Sequence, residues 1–255
     1  MNKVMATPEE AVFDIGDGAS IAVGGFGMCG IPTVLIGALM ASTASQLTVV
    51  SNNCGTDTFG LGPLLLQHRI ARVIASYVGE NEEFARQYLA GELEVELTPQ
   101  GSLAERMRAG GCGIPAFFTL AGVGTMVADG GMPLRYGKDG SVEKASIAKE
   151  QRSFGDKDYV LEHAITTDFA LVRAFIADDV GNAIFHESAR NFNPLCAMAG
   201  AITIVEAETI VPAGTLDADR VHLPGVFVNR VVAVPAGTEK PIEKLTLTSS
   251  STEAL

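Results

Sequence analysis

The sequence predicts an α/β fold, in which an open, mostly parallel β-sheet carries helices on both faces. Short apolar runs of strand length alternate with single helical segments through the first half of the chain. Strands that alternate with single helices need crossover connections, which are right-handed and give parallel pairs. At 255 residues, of which 47% are hydrophobic, the chain can bury a core on both faces of such a sheet. Functional residues are then expected in the loops at the carboxyl ends of the strands.

The N-terminal half is predicted to contain one opening helix and then four strand–helix units. Thr7 and Glu10 form a capping box for the opening helix, which ends at Gly16. Ser102 and Glu105 form a second capping box, at the start of the last helix in this half. The predicted strands are 20–23, 47–50, 71–75 and 93–97, and the helices between them are 32–40, 61–66 and 82–89.

The C-terminal half is less regular. Residues 137–158 are charged and turn-rich, which predicts an excursion from the sheet or a mobile flap. Asn193 starts an alanine-rich helix, and the tail, 249–255, is expected to be frayed. The remaining predicted strands are 169–177, 183–186, 202–207 and 226–234. No stretch has the composition of a domain linker, so residues 1–255 are predicted to form a single domain.

Composition and charge exclude several classes of protein. The chain has 18 basic and 30 acidic side chains, and its net charge of −12 disfavours binding to nucleic acids or to anionic membranes. Residues 1–10 lack the apolar run of a secretory signal. The apolar stretch at 195–205 is far shorter than the roughly 20 residues of a membrane helix. We therefore expect a soluble, cytoplasmic protein with no nucleic-acid or membrane partner.

The cysteines and histidines are too scattered to predict a disulfide framework or a metal site. The four cysteines contain no C-x-x-C pair, and the four histidines contain no H-x-x-x-H pair. We expect no bound metal, and we expect the cysteines to be buried as small hydrophobic residues. The cysteines are Cys29, Cys54, Cys112 and Cys196.

A glycine loop follows the first strand of the predicted sheet. Gly25, Gly27 and Gly30 match the pattern G-x-G-x-x-G between a strand and a helix, as in dinucleotide-binding folds. Glycines let backbone N–H groups approach a phosphate or carbonyl ligand, and the helix N-terminus behind them favours negative charge. An NAD site also needs an acidic residue at the end of the second strand, where this chain has Asn52 and Asn53. Tight packing, a phosphate or carbonyl ligand, and an NAD-dependent dehydrogenase stay open as interpretations.

Neutral amide side chains lie at the ends of two predicted strands. Asn52 and Asn53 follow the second strand, and Gln100 follows the fourth. Asparagines at this place can cap the next helix, and Gln100 can be an ordinary turn residue after Pro99. Alternatively, the amide N–H groups bind a carbonyl oxygen that gains charge during acyl transfer. The residues alone are compatible with both roles.

Four motifs, in this order, resemble the α subunit, or A component, of the family I CoA-transferases. They are VGGFGMCGIP at 23–32, SNN at 51–53 with GLG at 60–62, SYVGEN at 76–81, and ELEVELTPQG at 92–101. The resemblance continues through 106–118, 168–172, 188–194 and 224–232, so it covers nearly the whole chain. Within this family the chain is most similar to the type that acts on succinyl-CoA and 3-ketoacids. The resemblance implies the open α/β fold of the CoA-transferases.

The resemblance also implies a covalent mechanism. In this family the nucleophile is a glutamate of the partner chain, the β subunit or B component. It attacks the acyl-CoA thioester and comes to carry CoA as a glutamyl thioester. The acceptor carboxylate then takes CoA from the glutamate. The glutamate belongs to an SENG motif that this chain lacks. Glu80 lies in the nearest imitation, Gly79-Glu80-Asn81, which lacks the preceding serine and the following glycine, and we reject it as the nucleophile. Asn52 stands where a related motif would place the glutamate.

The resemblance assigns binding roles to this chain. Asn52 and Gln100 are predicted to donate hydrogen bonds to the thioester or to the acid substrate. The loop assigned to CoA consists of Gly24, Gly25, Phe26, Gly27, Met28, Cys29 and Gly30. CoA is then a substrate, and no tightly bound cofactor is expected.

The resemblance further implies a partner chain. We expect an obligate complex with the β subunit, assembled as an A₂B₂ heterotetramer, that transfers CoA from succinyl-CoA to a 3-oxoacid such as acetoacetate. Within the same class, the acceptor could be 3-oxoadipate or a short fatty acid. From other classes, the alternatives are an NAD-dependent dehydrogenase and a noncatalytic sugar- or effector-binding module of related fold.

Overall fold

Thirteen strands lie within residues 1–240, the part of the chain that the computed structural model describes. They are β1 Ser20–Val23, β2 Leu47–Val50, β3 Ile70–Ala75, β4 Glu94–Leu97, β5 Ala116–Thr119, β6 Pro133–Tyr136, β7 Val142–Ala145, β8 Gln151–Phe154, β9 Lys157–His163, β10 Thr167–Asp178, β11 Ala183–Ile184, β12 Gly200–Val211 and β13 Arg230–Ala233. Eight of these strands form the main sheet, and the others form two small sheets. The tail for which fraying is predicted, 249–255, lies outside the described residues.

The main sheet is open and almost entirely parallel. Its order is β13-β12-β10-β1-β2-β3-β4, and β11 pairs with β10. The β10–β11 pair is antiparallel, and every other pair of described strands in this sheet is parallel. At its centre, Ile21 of β1 lies between Val49 of β2 and Phe169 of β10. The predicted α/β fold with a mostly parallel sheet is confirmed.

Helices cover both faces of this sheet. Those within residues 1–240 are α1 Pro8–Ala11, α2 Thr33–Ala41, α3 Gly62–Leu66, α4 Glu82–Leu89, α5 Gln100–Gly111, α6 Met126–Asp129 and α7 Asn193–Ala199. On β1, Ile21 and Val23 pack into the core with Leu35 of α2, whereas Ala22 packs into the opposite core with Met107 of α5. Successive side chains of a strand point to opposite faces, so a strand buried on both becomes a continuous apolar run. No described helix is long and apolar enough to cross a membrane.

Residues 116–163 leave the main sheet. The strands β5, β9 and β8 form a small antiparallel sheet, and β6 pairs with β7. Arg106 of α5 ties this region to the main sheet, because its guanidinium donates to the carbonyl of His163 at 2.8 Å and to the carboxylate of Glu96 at 2.7 Å. The segment 137–158, for which the sequence predicts an excursion or a flap, contains the exposed strands β7 and β8.

The start of α5 differs from the prediction. The helix begins at Gln100, and Pro99, in an extended conformation, is its N-cap. Proline is tolerated at a helix start because its missing N–H has no helical partner there. Ser102 therefore lies inside the first turn, and the predicted capping box is wrong. Its other member, Glu105, pairs instead with Arg108, whose Nε donates to the carboxylate at 2.8 Å.

Two other element ends also differ from the prediction. Thr7 caps α1 through its hydroxyl, as predicted, but the helix ends at Ala11 and is shorter than expected. Within the predicted strand 226–234, β13 begins only at Arg230, because Gly225–Phe227 form a 3₁₀ turn. Both differences shorten an element and leave its place in the fold unchanged.

Candidate active site

Four loops meet at the carboxyl edge of the main sheet, where β1, β2, β3 and β4 end side by side. They are the glycine loop 24–30 after β1, and the segments 51–57, 76–81 and 98–100 after the next three strands. Polar side chains are buried at this edge, among them Asn52 at 2% and Asn53 at 8% exposure. Ligands bind at this edge in open parallel sheets, so these loops form the candidate active site.

The glycine loop is a tight turn with an exposed tip. Gly25, Gly27 and Gly30 have φ angles of 115°, 57° and 74°, in the region that glycine adopts most readily. The backbones of Phe26 and Cys29 pair in both directions, at 3.0 and 2.9 Å. Phe26, next to the tip, is 47% exposed. The turn itself therefore requires the three glycines.

Three asparagine clamps, Asn53, Asn191 and Asn193, hold the glycine loop from two sides. Asn53 accepts a hydrogen bond from the N–H of Gly27 at 3.0 Å and donates to the carbonyl of Gly27 at 3.3 Å. On the other side, Asn191 donates to the carbonyl of Cys29 at 3.1 Å. An asparagine carries both a donor and an acceptor, so it can match the backbone groups that a tight turn leaves unpaired.

Asn193 is the most deeply buried clamp, with no exposed surface. Its Nδ2 donates to the carbonyls of Gly30 at 3.0 Å and Ala189 at 2.8 Å, and its Oδ1 accepts from the backbone N–H of Arg173 at 3.0 Å. A Cβ on Gly24 would lie 1.9 Å from this Oδ1. The amide of Asn193 thus occupies the space that any side chain at position 24 would need.

Asn52 is the centre of a group of neutral hydrogen-bonded side chains. Its Oδ1 accepts from the hydroxyl of Ser76 at 2.7 Å and from Nε2 of Gln100 at 2.8 Å, and its Nδ2 donates to Asn53 at 3.0 Å. The two residues with predicted catalytic roles, Asn52 and Gln100, are therefore in direct contact. An amide nitrogen has two N–H groups. The side-chain amides of Asn52 and Gln100 each donate one of them, so each amide retains one N–H without a partner within residues 1–240.

The loop after β2 repeats the shape of the glycine loop. Gly55 and Gly60 have φ angles of 73° and 69°, and the backbones of Thr56 and Phe59 pair in both directions at 3.2 and 3.3 Å. A Cβ on Gly60 would lie 3.2 Å from Ile31, at the end of the glycine loop. Two backbone turns of the same kind therefore pack side by side at the candidate site.

The end of β2 does not offer the carboxylate that an NAD ribose needs. The side chains of Asn52 and Asn53 bond to each other and to the neighbouring loops. The carboxylate of this segment, Asp57, accepts from the backbone N–H of Glu83 at 2.9 Å and so lies at the start of α4. The geometry does not support the dehydrogenase alternative.

The sequence prediction missed Ser76, Asn191 and Asn193 as site residues. Asn193 was expected only to start a helix, which it does, but its side chain reaches back to the glycine loop. A signal was present, because the resemblance to the family includes both 76–81, one of the four motifs, and the stretch 188–194. The local pattern alone could not show that these two segments reach the same edge of the sheet.

The four cysteines differ in exposure, and the prediction that they are buried is wrong for two of them. Cys29 is half-buried and Cys112 is exposed. Cys54 and Cys196 are fully buried, and burial raises the pKa of each thiol to about 12.

A thiol reagent at mildly alkaline pH is expected to modify Cys112 in the native chain and to leave Cys54 and Cys196 unmodified. The reason is that the thiolate is the reactive form, and burial suppresses it. Mass spectrometry of the labelled peptides measures the outcome, and the same reaction in denaturant, where all four thiols should react, is the control. Rapid labelling of Cys54 in the native chain would contradict the buried position.

A separate cavity of about 630 Å³ lies beyond the carboxyl ends of β10 and β12. Its lining includes Phe175, Phe185, His186, Arg220 and His222. Burial, followed by the charges of two nearby arginines, lowers the pKa of His222. No residue with a predicted site role lines this cavity.

The sequence matches the family model described as Coenzyme A transferase over residues 5–234. The α subunit of the "Probable succinyl-CoA:3-ketoacid coenzyme A transferase" of Mycobacterium bovis is 61% identical over 247 residues, which cover 97% of this chain and 99% of the relative. The α subunit of the succinyl-CoA:3-ketoacid coenzyme A transferase of Helicobacter pylori J99 is 50% identical over 250 residues, covering 98% of this chain and 100% of the relative.

The fold also matches a solved structure, the apoenzyme of the acyl-CoA transferase YdiF from Escherichia coli O157:H7. The TM-score is 0.76 at 25% identity, and the match covers 92% of this chain and 47% of that one. The chain thus spans about half the length of this solved relative. The resemblance seen in the four motifs is confirmed: the chain belongs to the coenzyme A transferase family.

Proposed function

We propose that the chain is the α subunit of a heteromeric CoA-transferase that moves CoA from succinyl-CoA to a 3-oxoacid such as acetoacetate. The observation that carries the proposal is the group around Asn52. Its described hydrogen-bonding partners, Asn53, Ser76 and Gln100, are neutral amides and a hydroxyl, with no carboxylate among them. A group that offers amide donors but no carboxylate supports a mechanism in which the reactive carboxylate comes from another chain.

A glutamate of the β subunit is proposed to supply that carboxylate. It attacks the thioester carbonyl of succinyl-CoA, forming a mixed anhydride and releasing the CoA thiolate. The thiolate then attacks the glutamyl carbonyl, which releases succinate and leaves a glutamyl-CoA thioester. The carboxylate of the acceptor takes CoA by the reverse route. The covalent intermediates divide one slow exchange into easier steps.

Asn52 and Gln100 are proposed to donate their remaining N–H groups to the carbonyl oxygen that gains negative charge when the glutamate attacks. Asn52 is buried and held by three side chains, so its amide is already oriented before the reaction. Donors that need no reorganisation stabilise a developing charge best. Ser76 contributes indirectly, because its hydroxyl donates to Oδ1 of Asn52 and so fixes which end of the amide carries the free N–H.

The glycine loop, 24–30, is proposed to contact CoA, which is a substrate and not a tightly bound cofactor. The names of the relatives from Mycobacterium bovis and Helicobacter pylori each denote one subunit of a larger enzyme, which supports a complex with a β subunit. We propose an A₂B₂ heterotetramer in the cytoplasm. The acceptor is proposed to be a 3-oxoacid because the same names specify a 3-ketoacid.

The purified chain alone is expected to show no thioester exchange, and activity is expected to appear when it is co-expressed with its β subunit. Succinyl-CoA with acetoacetate is the test pair, and 3-oxoadipate and short fatty acids are the alternative acceptors. Trapping the enzyme-bound CoA thioester, followed by peptide mass mapping, should place the adduct on a glutamate of the β subunit. Full activity of the isolated chain, or an adduct on Glu80, would contradict the proposal.

A further inference from the structure

The N-terminus of α2 has no local cap. This helix follows the glycine loop directly, its N-cap is Pro32, and no side chain of its first turn or of Pro32 caps it. The first N–H groups of a helix have no intrahelical partner, and the helix dipole favours negative charge there. After a glycine-rich loop, this end of a helix is the usual place for a phosphate.

A carboxylate from a distant strand already occupies this place. Glu206 of β12 has no exposed surface, and its Oε2 accepts from the backbone N–H of Leu35 at 2.9 Å. The backbone N–H of Val34 also favours the charged form of this carboxylate and lowers its pKa. Burial raises the pKa of Glu206 to about 7, and these donors and the charge of Arg173 act against that rise. Glu206 therefore makes the contacts that a bound anion would make.

Arg173 of β10 compensates the buried charge. Its guanidinium donates to Oε1 of Glu206 at 3.1 Å and to the hydroxyl of Thr33, the first residue of α2, at 3.2 Å. On its other side it pairs with Glu208 at 3.3 Å, and Glu208 pairs with Lys240. The network thus contains two acidic side chains, Glu206 and Glu208, and two basic ones, Arg173 and Lys240. A buried charge destabilises the fold unless it has such a partner of opposite charge.

We propose that the side chain of Glu206, supplied from β12, caps the N-terminus of α2 and closes this end of the helix to anionic ligands, so that the glycine loop contacts an uncharged part of its ligand. For CoA, and resting on the function proposed above, the part at the loop is the thioester or the pantetheine chain. The pyrophosphate then binds away from α2. The glycines are required by the turn, and the Glu206 carboxylate occupies the position at the helix N-terminus where a phosphate usually binds.

Hydrogen–deuterium exchange on the full-length chain, with inorganic pyrophosphate as the probe, tests this inference. In the wild type, pyrophosphate should leave the exchange of residues 31–36 unchanged. The double variant Arg173→Met/Glu206→Leu removes the cap without leaving an unpaired buried charge. Its amides at Val34 and Leu35, on which the Glu206 carboxylate acts, should exchange at least about tenfold faster, and pyrophosphate should slow them again. Glu208→Gln is the matched control, because it alters the same network without contacting α2, and it should behave like the wild type.

Three results would overturn the inference. The first is slower exchange at 31–36 when pyrophosphate is added to the wild type. The second is unchanged exchange at Val34 and Leu35 in the double variant. The third is faster exchange at these two residues that pyrophosphate does not slow. If the double variant does not fold, the titration of the wild type with pyrophosphate, which needs no variant, still tests the inference. None of these measurements requires the β subunit or transfer activity, so failure here is distinct from failure of the proposed function.

Discussion

Asn52→Ala is expected to lower the turnover number of the assembled enzyme by about 10²- to 10³-fold, the usual effect of losing one preorganised donor to a developing oxyanion. The variant removes the N–H proposed to bind the thioester oxygen, and it also removes the acceptor that orients Gln100. Because the interaction is stronger in the transition state than in the ground state, the loss should fall on kcat more than on KM. Steady-state kinetics with succinyl-CoA and acetoacetate measures both constants.

Asn182→Ala is the matched control for this prediction. Asn182 also makes several hydrogen bonds, to Asp178 and Gly225, but it lies in the turn between β10 and β11, away from the candidate site. Its replacement is expected to leave kcat close to that of the wild type. Turnover of Asn52→Ala that equals that of the control would remove the catalytic role assigned to Asn52.

Gly24→Ala is expected to destabilise the chain by about 3 kcal/mol, because overpacking and lost buried hydrogen bonds act together. The added Cβ would collide with Oδ1 of Asn193. The side chain of Asn193 is fully buried, so it cannot move away into solvent. Displacing that amide would break its bonds to Gly30, Ala189 and Arg173. Denaturant unfolding of the isolated chain measures the loss.

Gly37→Ala is the control for the glycine prediction. Position 37 lies within α2, and a Cβ there meets nothing within 4 Å. An alanine inside a helix is expected to stabilise the chain by about 0.5–1 kcal/mol relative to glycine. If the two variants unfolded at the same denaturant concentration, the space at position 24 would not be restricted as described.

Much of the fold could be predicted because its local pattern and its tertiary packing agree. The bounds of β1, β2 and α4 match the prediction residue for residue. Strands buried on both faces are largely apolar, and α4 begins directly after its capping residue, Asn81. The order of the strands could not be predicted in the same way. Ser20 at the start of β1 bonds to Asp168 at the start of β10, 148 residues away, and no local pattern encodes that neighbour.

For the candidate site too, local patterns predicted some residues, and contacts between distant segments could not be predicted. Asn52 and Gln100 could be selected because each lies shortly after the end of a strand, and the strand ends of a parallel sheet lie at one edge. The roles of Asn193 and Glu206 could not, because each acts on a segment more than a hundred residues earlier in the chain. The capping box at Ser102 failed for a related reason: the motif fits locally, but Pro99 lets the helix begin earlier.

The asparagine clamps link the glycine loop to the order in which the polypeptide is synthesised. Asn191 and Asn193 bond to the loop across 162 and 163 residues. A nascent chain that has left the ribosome through β4 therefore carries the whole glycine sequence and Asn53 but lacks the other two asparagine clamps. The loop becomes a binding surface only once β10 and α7 have joined the sheet, so an unfinished polypeptide is not expected to capture CoA.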